Sequence, residues 1–203
     1  KSQKKLSLVI SNNKVFFNNT IGDISAVDIK KGKLIWQTPT QDSSIFESSF
    51  QLKTSDLIVV NNKILFSNNK NEFYCLDIKT GTLIWKNSIN SSIKPTVIDG
   101  LVFTVSEDGY LIIIENKTGN IIRSTNIFKQ IKEKKRLKIK PVGFIVGKEN
   151  IYFTTSNGRL IVADVSSGNS NLILKIDNEK ISRPFVVDKN LFIIKNNAII
   201  KLN

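Results

Sequence analysis

Four stretches of this chain carry one signature at nearly one spacing, and a repeat of that length constrains the fold more than any other feature. They are NNKVFFNNTIGDISAVDIKKGKLIWQ from Asn12, NNKILFSNNKNEFYCLDIKTGTLIWK from Asn61, IDGLVFTVSEDGYLIIIENKTGNIIRS from Ile98, and KENIYFTTSNGRLIVADVSSGNSNLIL from Lys148. A fifth copy, DKNLFIIKNNAIIKLN from Asp188, stops before its last strand. The glycines that mark each copy, Gly32, Gly81, Gly119 and Gly168, recur at intervals of 49, 38 and 49 residues. The repeats span approximately residues 6–40, 55–90, 93–128, 140–177 and 182–203 of a single domain.

Each copy reads as four short strands. β-Branched and aromatic runs are broken by Asn, Asp and Gly, which is the pattern of consecutive hairpins. Asp28, Asp77, Glu115 and Asp164 open the turn that leads into the last strand, and each is followed four residues later by glycine. A carboxylate there can accept backbone N–H bonds, and glycine can take positive φ. Turn geometry therefore explains the acids, and they are not read as catalytic. A four-stranded unit with apolar residues on both faces cannot stand alone. Radial stacking of such units of ~40–50 residues gives a β-propeller, here with about four complete blades and a partial fifth. A solenoid coil would be shorter and richer in glycine, and a β-sandwich would not need four copies of one signature.

Composition excludes several chemistries. The chain has no histidine, so a Ser-His-Asp or Cys-His system, a His metal site and a His pH switch are all impossible within it. Its single cysteine, Cys75, rules out an internal disulfide framework and a multi-Cys zinc site, and its place in an apolar alternation predicts a buried thiol. The net charge is +13, from 30 Lys and Arg against 17 Asp and Glu. The basic residues are almost all Lys, with only Arg123, Arg136, Arg159 and Arg183. A phosphate reader would use Arg forks and stacked aromatics, so the charge is read as compositional and no nucleic-acid partner is expected. No apolar run approaches the ~20 residues of a membrane-spanning helix. The sequence starts without Met and without a signal-peptide pattern, as expected of a mature form or of a segment of a longer protein.

Two of the repeat intervals carry about 11 extra residues, and insertions in repeat arrays map to loops that often bind. The first, QDSSIFESSFQLKTS, holds Ile45, Phe46, Phe50 and Leu52. It either folds onto its own blade or presents apolar anchors to a partner protein. The second, FKQIKEKKRLKIK, holds Phe128, Lys132, Lys135 and Arg136 among further lysines. It is either a solvated charge run or a docking segment for an acidic protein surface or anionic lipid headgroups.

The spacing Ala26-x-Asp28-x-x-x-Gly32-Lys33-x-x-Trp36 resembles the tryptophan-docking motif of the quinoprotein-type (PQQ-like) propeller repeats. The second copy keeps Asp77, Gly81 and Trp85. The third has Glu115 for Asp and Arg123 for Trp, and the fourth has Leu172 for Trp. The resemblance implies that Trp36 and Trp85 pack across to the next blade, and that docking weakens at Arg123 and Leu172. Pro95, Pro141 and Pro184, each just before an inner strand, and the ending ISRPFVVDKNLFIIKNNAIIKLN resemble the branch of that family formed by the lipoproteins of the bacterial outer-membrane β-barrel assembly machine. That branch has eight blades, so the chain is expected to be a C-terminal half, with its lipid-anchor cysteine outside this segment. The resemblance implies a scaffold on the periplasmic face of the outer membrane, bound to the barrel insertase's periplasmic domains, with only peripheral membrane contact. A second copy or an N-terminal half is expected to cover the open blade faces. A PQQ-like sensor ectodomain and a fragment of a quinoprotein dehydrogenase are the alternatives. The dehydrogenases of the family use a full ring, a calcium ion and adjacent cysteines; with too few blades and one cysteine, no cofactor, no metal and no catalytic residue are expected here.

Overall fold

The computed structural model describes residues 7–19, 22–40 and 53–202. Its strands fall into five antiparallel sheets in sequence order. The first is β1 (Leu8–Ser11), β2 (Lys14–Asn18), β3 (Ile24–Asp28) and β4 (Leu34–Thr38). The second is β5 (Ile58–Val60), β6 (Lys63–Asn68), β7 (Glu72–Asp77) and β8 (Leu83–Asn87). β9 (Thr96–Ile98), β10 (Leu101–Val105), β11 (Tyr110–Glu115) and β12 (Ile121–Asn126) form the third. After a single helical turn, α1 (Glu133–Arg136), come β13 (Pro141–Val146), β14 (Asn150–Thr155), β15 (Arg159–Asp164) and β16 (Ser170–Lys175). The last sheet has three strands, β17 (Phe185–Val187), β18 (Asn190–Lys195) and β19 (Ala198–Leu202). These meandering sheets are the blades of a β-propeller, in the number the repeats predict.

The turns explain the register. Asn12–Asn13 and Asn61–Asn62 both have positive φ at each residue, and Asp99–Gly100 does the same at the third sheet. Two consecutive left-handed residues make the two-residue hairpin turn whose twist matches the strands it joins. Asn, Asp and Gly adopt that conformation at least cost, which is why the repeats read NN or DG at this point. Pro141 is the first residue of β13, and Pro95 and Pro184 immediately precede β9 and β17. A residue without an N–H is tolerated at a strand start because no ladder bond is lost there.

Two compact units share the chain. Unit 1 holds residues 1–102 with 115–120, and unit 2 holds 103–114 with 121–203. In unit 1 the inner strands β6 and β7 are buried on both faces. Phe16, Ile24 and Ala26 of the first sheet pack with Leu57, Ile64, Phe66, Tyr74, Leu76 and Ile78. The opposite face of the second sheet buries Leu65, Phe73 and Cys75 completely. In unit 2, Leu111, Ile114, Ile151, Phe153, Ile161 and Ala163 are likewise removed from water. Burial on both faces is the reason the inner strands read as nearly continuous apolar runs.

Candidate functional site

The recurring acid–glycine turn is closed by the same backbone bond in four blades, that from Gly119 to the Glu115 carbonyl at 2.9 Å among them. The N–H of Gly32 donates to the Asp28 carbonyl, that of Gly81 to Asp77, and that of Gly168 to Asp164, each within 2.8–2.9 Å. The carboxylates close the turn from inside. Asp28 accepts the N–H of Lys31, Asp77 those of Lys79 and Thr80, and Asp164 that of Ser167. The Thr80 N–H, joined by Lys79 and the Thr80 hydroxyl, holds the Asp77 carboxyl below its usual range. Asp164 is lowered by the Ser167 hydroxyl and then the Ser167 N–H. Glu115, one methylene longer, accepts the Thr118 hydroxyl instead.

The turns of the second, third and fourth blades are also sockets for the outer strand of the preceding blade. The Trp36 indole N–H donates to the Ile78 carbonyl at 3.2 Å, and the Thr38 hydroxyl donates to the Gly81 carbonyl at 2.7 Å. In the next joint, Trp85 donates to the Asn116 carbonyl at 3.0 Å and the Asn87 amide to the Gly119 carbonyl at 2.8 Å. The carbonyl that receives the indole always follows the turn's acid. The glycines have a second duty here. A Cβ at Gly81 would lie 2.5 Å from the Trp36 ring, and one at Gly119 2.6 Å from Trp85. Indole and backbone therefore meet face to face, where only glycine leaves room. Trp85 is nearly fully buried and stacks on Phe73 with ring centroids 5.8 Å apart; Trp36 is half-buried and tilts on Phe16.

Arg123 occupies the tryptophan's position in the third blade. Its guanidinium donates to the Val165 carbonyl at 2.6 Å, and Thr125 donates to the Ser167 carbonyl. The polar half of the joint is kept while the aromatic half is gone. Leu172, the fourth occupant of the position, is 46% exposed. The first blade's turn differs from its copies: nothing lies within 4 Å of a Cβ placed on Gly32, and Ile29, which follows Asp28, is exposed.

Of the loop residues singled out in the sequence, Ile45, Phe46, Phe50 and Leu52 lie outside the described residues. Phe128, read with the exposed residues of its insertion, is instead part of the core. Its ring is fully buried over Gly109, whose positive φ and missing side chain admit it. It pins one end of the basic insertion, and Ile139, also buried, pins the other. Lys132 and Lys135 are exposed on α1 and its start, whereas Arg136 is turned back onto the loop's own carbonyls. Sequence reasoning missed Arg123 as a working docking residue and Phe128 as core. The signals were present: Arg carries an N–H that reaches the same carbonyl, and the Ile127–Phe128 pair follows β12 directly, opposite the turn glycine of its own blade.

Cys75 is fully buried between β6 and β8, and burial pushes its thiol up to about 12. A thiol so poorly ionised is inert. Among the described residues, no group of three or more His, Cys, Asp or Glu side chains could hold a metal ion, and no helix is long and apolar enough to cross a membrane.

Comparison with known proteins agrees with this geometry. The family model described as outer membrane protein assembly factor BamB matches residues 2–125. Among solved structures, BamB from Moraxella catarrhalis is similar over 96% of this chain and 70% of that one, with 14% identity and a TM-score of 0.59. The β-propeller domain of Cps50 (Swd1) from Myceliophteria thermophila is similar over 92% of this chain and 60% of that one, with 9% identity and a TM-score of 0.70. The computationally designed Ika8 protein, of which the chain spans 56%, gives 14% identity and a TM-score of 0.71. No curated protein matches the sequence closely enough to count as a relative. Identities this low speak for the fold alone, but the family match covers more than half of the sequence, including both tryptophan joints up to Thr125. The chain belongs to the family of the outer membrane protein assembly factor BamB.

Proposed function

We propose that this protein is a non-enzymatic, protein-binding scaffold: a BamB-like subunit of the outer-membrane β-barrel assembly machinery, on the periplasmic face of the outer membrane. The observation that carries the reading is the family match over the docked repeats of residues 2–125. The repeat's own chemistry supports it. Asp28, Asp77 and Asp164 are engaged by backbone N–H groups of their turns, and the tryptophans are engaged by backbone carbonyls. These groups hold blades together and leave no reacting pair at the repeat positions. Binding then falls to the connections between blades. The insertion with Ile45, Phe46, Phe50 and Leu52 supplies apolar anchors for the periplasmic domains of the barrel insertase, since aromatic and aliphatic anchors within a polar rim carry most of a typical interface's energy.

Light scattering on the 203-residue chain, alone and mixed with those periplasmic domains, tests the reading. A complex whose mass is the sum of the two components is expected. Replacing Phe46 and Phe50 with Ser should weaken it by more than tenfold, as for anchor residues costing ~2 kcal/mol each. A folded chain that leaves the insertase domains free in solution removes the scaffold assignment. A self-associated chain that binds nothing else assigns those loops to contacts between copies.

A further inference from the structure

The insertion between β12 and β13 has properties that neither the fold nor the scaffold reading uses. It carries six lysines and one arginine against a single acid, Glu133, in residues 128–140. It is held as a platform: Phe128 and Ile139 are buried at its two ends, Gln130 donates to the Ser170 carbonyl, and α1 continues through turns from Lys138 to the Lys135 carbonyl and from Ile139 to the Arg136 carbonyl. Lys129, Lys132, Lys134, Lys135 and Lys138 are all exposed on it. In their midst Leu137 is 83% exposed, more than any other large apolar side chain among the described residues. The hydrogen-bonded turns thus display one exposed aliphatic side chain in a segment of exposed lysines.

We infer that this platform docks on the surface of an anionic phospholipid bilayer, with the lysines over the headgroup phosphates and Leu137 dipping into the acyl boundary. Three observations select lipid over an acidic protein. The one guanidinium of the insertion is turned onto the chain's own backbone, since Arg136 Nε donates to the Ile131 carbonyl and Nη2 to the Lys129 carbonyl, so its Nε–Nη2 edge is closed to bidentate pairing with a carboxylate. The free cations are lysines, mobile point charges that suit a fluid sheet of phosphates. An aliphatic side chain at the centre of the charge has nowhere to go on a carboxylate surface, but it gains on entering a bilayer interface. Acid is scarce: Glu133 on α1 is the single carboxylate of the insertion, and Glu107 lies 3.9 Å from Lys140 at the insertion's end. The inference is independent of the scaffold reading, and its test contains no protein partner.

Co-sedimentation of the full chain with vesicles of phosphatidylcholine, with and without phosphatidylglycerol, decides it. Binding is expected only with phosphatidylglycerol present, falling steeply as salt is raised. Each lysine near such a surface contributes about a fivefold gain in partitioning, so Lys132→Gln, Lys134→Gln and Lys135→Gln together should lower it about a hundredfold. Leu137→Ala should lower it about tenfold. Because Cys75 is buried and scarcely ionised, Leu137→Cys can be labelled at the introduced thiol alone with an environment-sensitive dye. Its emission should shift to the blue on phosphatidylglycerol vesicles, and this readout stands even if the triple variant fails to fold. Equal binding to neutral vesicles, no binding to anionic ones, an unchanged folded triple variant or an unshifted dye each overturns the inference. Retention on polyglutamate without sedimentation on phosphatidylglycerol vesicles also overturns it, by assigning the platform to an acidic protein.

Discussion

The joint made by Trp85 and the joint made by Arg123 occupy the same position of the repeat and use the same acceptor, the carbonyl after the turn's acid. They also share a second bond, from Asn87 or Thr125, to a carbonyl later in the turn, and they differ in what fills the contact. Trp85 adds a large apolar surface, nearly all of it buried, and a stack on Phe73. Arg123 replaces that with a charged group, half-buried, whose Nε is out of water and without a partner. The comparison separates two jobs that the tryptophan does at once. The hydrogen bond sets where the outer strand sits against the neighbouring turn, and the ring supplies the energy of contact. A residue that does only the first job should preserve the register and give a weaker joint.

The largest test of that separation is Trp85→Ala. Removing a buried indole should destabilise the chain by about 3–5 kcal/mol, read as a fall in the urea midpoint, and Trp36→Ala should cost less because that ring is only half-buried. Equal losses at the two positions would mean that ring burial is not what the joint depends on. Gly119→Ala follows. It combines a left-handed backbone cost of about 1–2 kcal/mol with overpacking against the Trp85 ring of about 1–3 kcal/mol. Gly32→Ala has a similar φ and open space, so only the backbone part should appear. The difference between these two glycine variants measures the steric half of the socket directly.

Arg123→Ala should cost about 1.5–3 kcal/mol, the range for a charge-assisted hydrogen bond. Arg123→Trp sharpens the comparison further. If register and contact energy are separable, it should be at least as stable as the parent by thermal melting, while Trp85→Arg should lose less than Trp85→Ala by about what the kept hydrogen bond contributes. Loss of stability in Arg123→Trp would show that the third joint is shaped for a guanidinium. The smallest effect is on pH dependence. Asp77 and Asp164 have their carboxyls lowered in the folded state by hydrogen bonds to the turn. The unfolded chain binds their protons first, so the stabilisation is complete above the ordinary carboxylate pKa of ~4 and is lost as pH falls through the lower folded value. Asp77→Asn should therefore flatten the acid limb of a melting-temperature profile; an unaltered limb would place the acid sensitivity elsewhere.

The blades were legible because their periodicity is local. Strand alternation, the Asn–Asn and Asp–Gly hairpin turns and the acid–glycine turns are each fixed within a few residues, and their fourfold recurrence removes ambiguity. The tryptophan joints were legible only through the family resemblance, since nothing near Trp36 in sequence names the Ile78 carbonyl 42 residues away. Arg123 was read as a defect because a residue-type motif records the ring and not the donor. Phe128 was grouped with the lysines of the insertion because it opens that charged segment, yet Gly109, in the β10–β11 turn of the same sheet, leaves the space that buries it.

By itself, then, the sequence determined the number of sheets among the described residues, the strand order and the form of the Asn–Asn, Asp–Gly and aspartate–glycine turns, because backbone stereochemistry and side-chain alternation act over distances of two to five residues. The tertiary structure decided which carbonyl each outer strand meets, which turn glycine must stay bare and which loop residue is buried. Those outcomes depend on what lies across a ~10 Å gap between packed sheets, and a linear pattern contains no record of that neighbour.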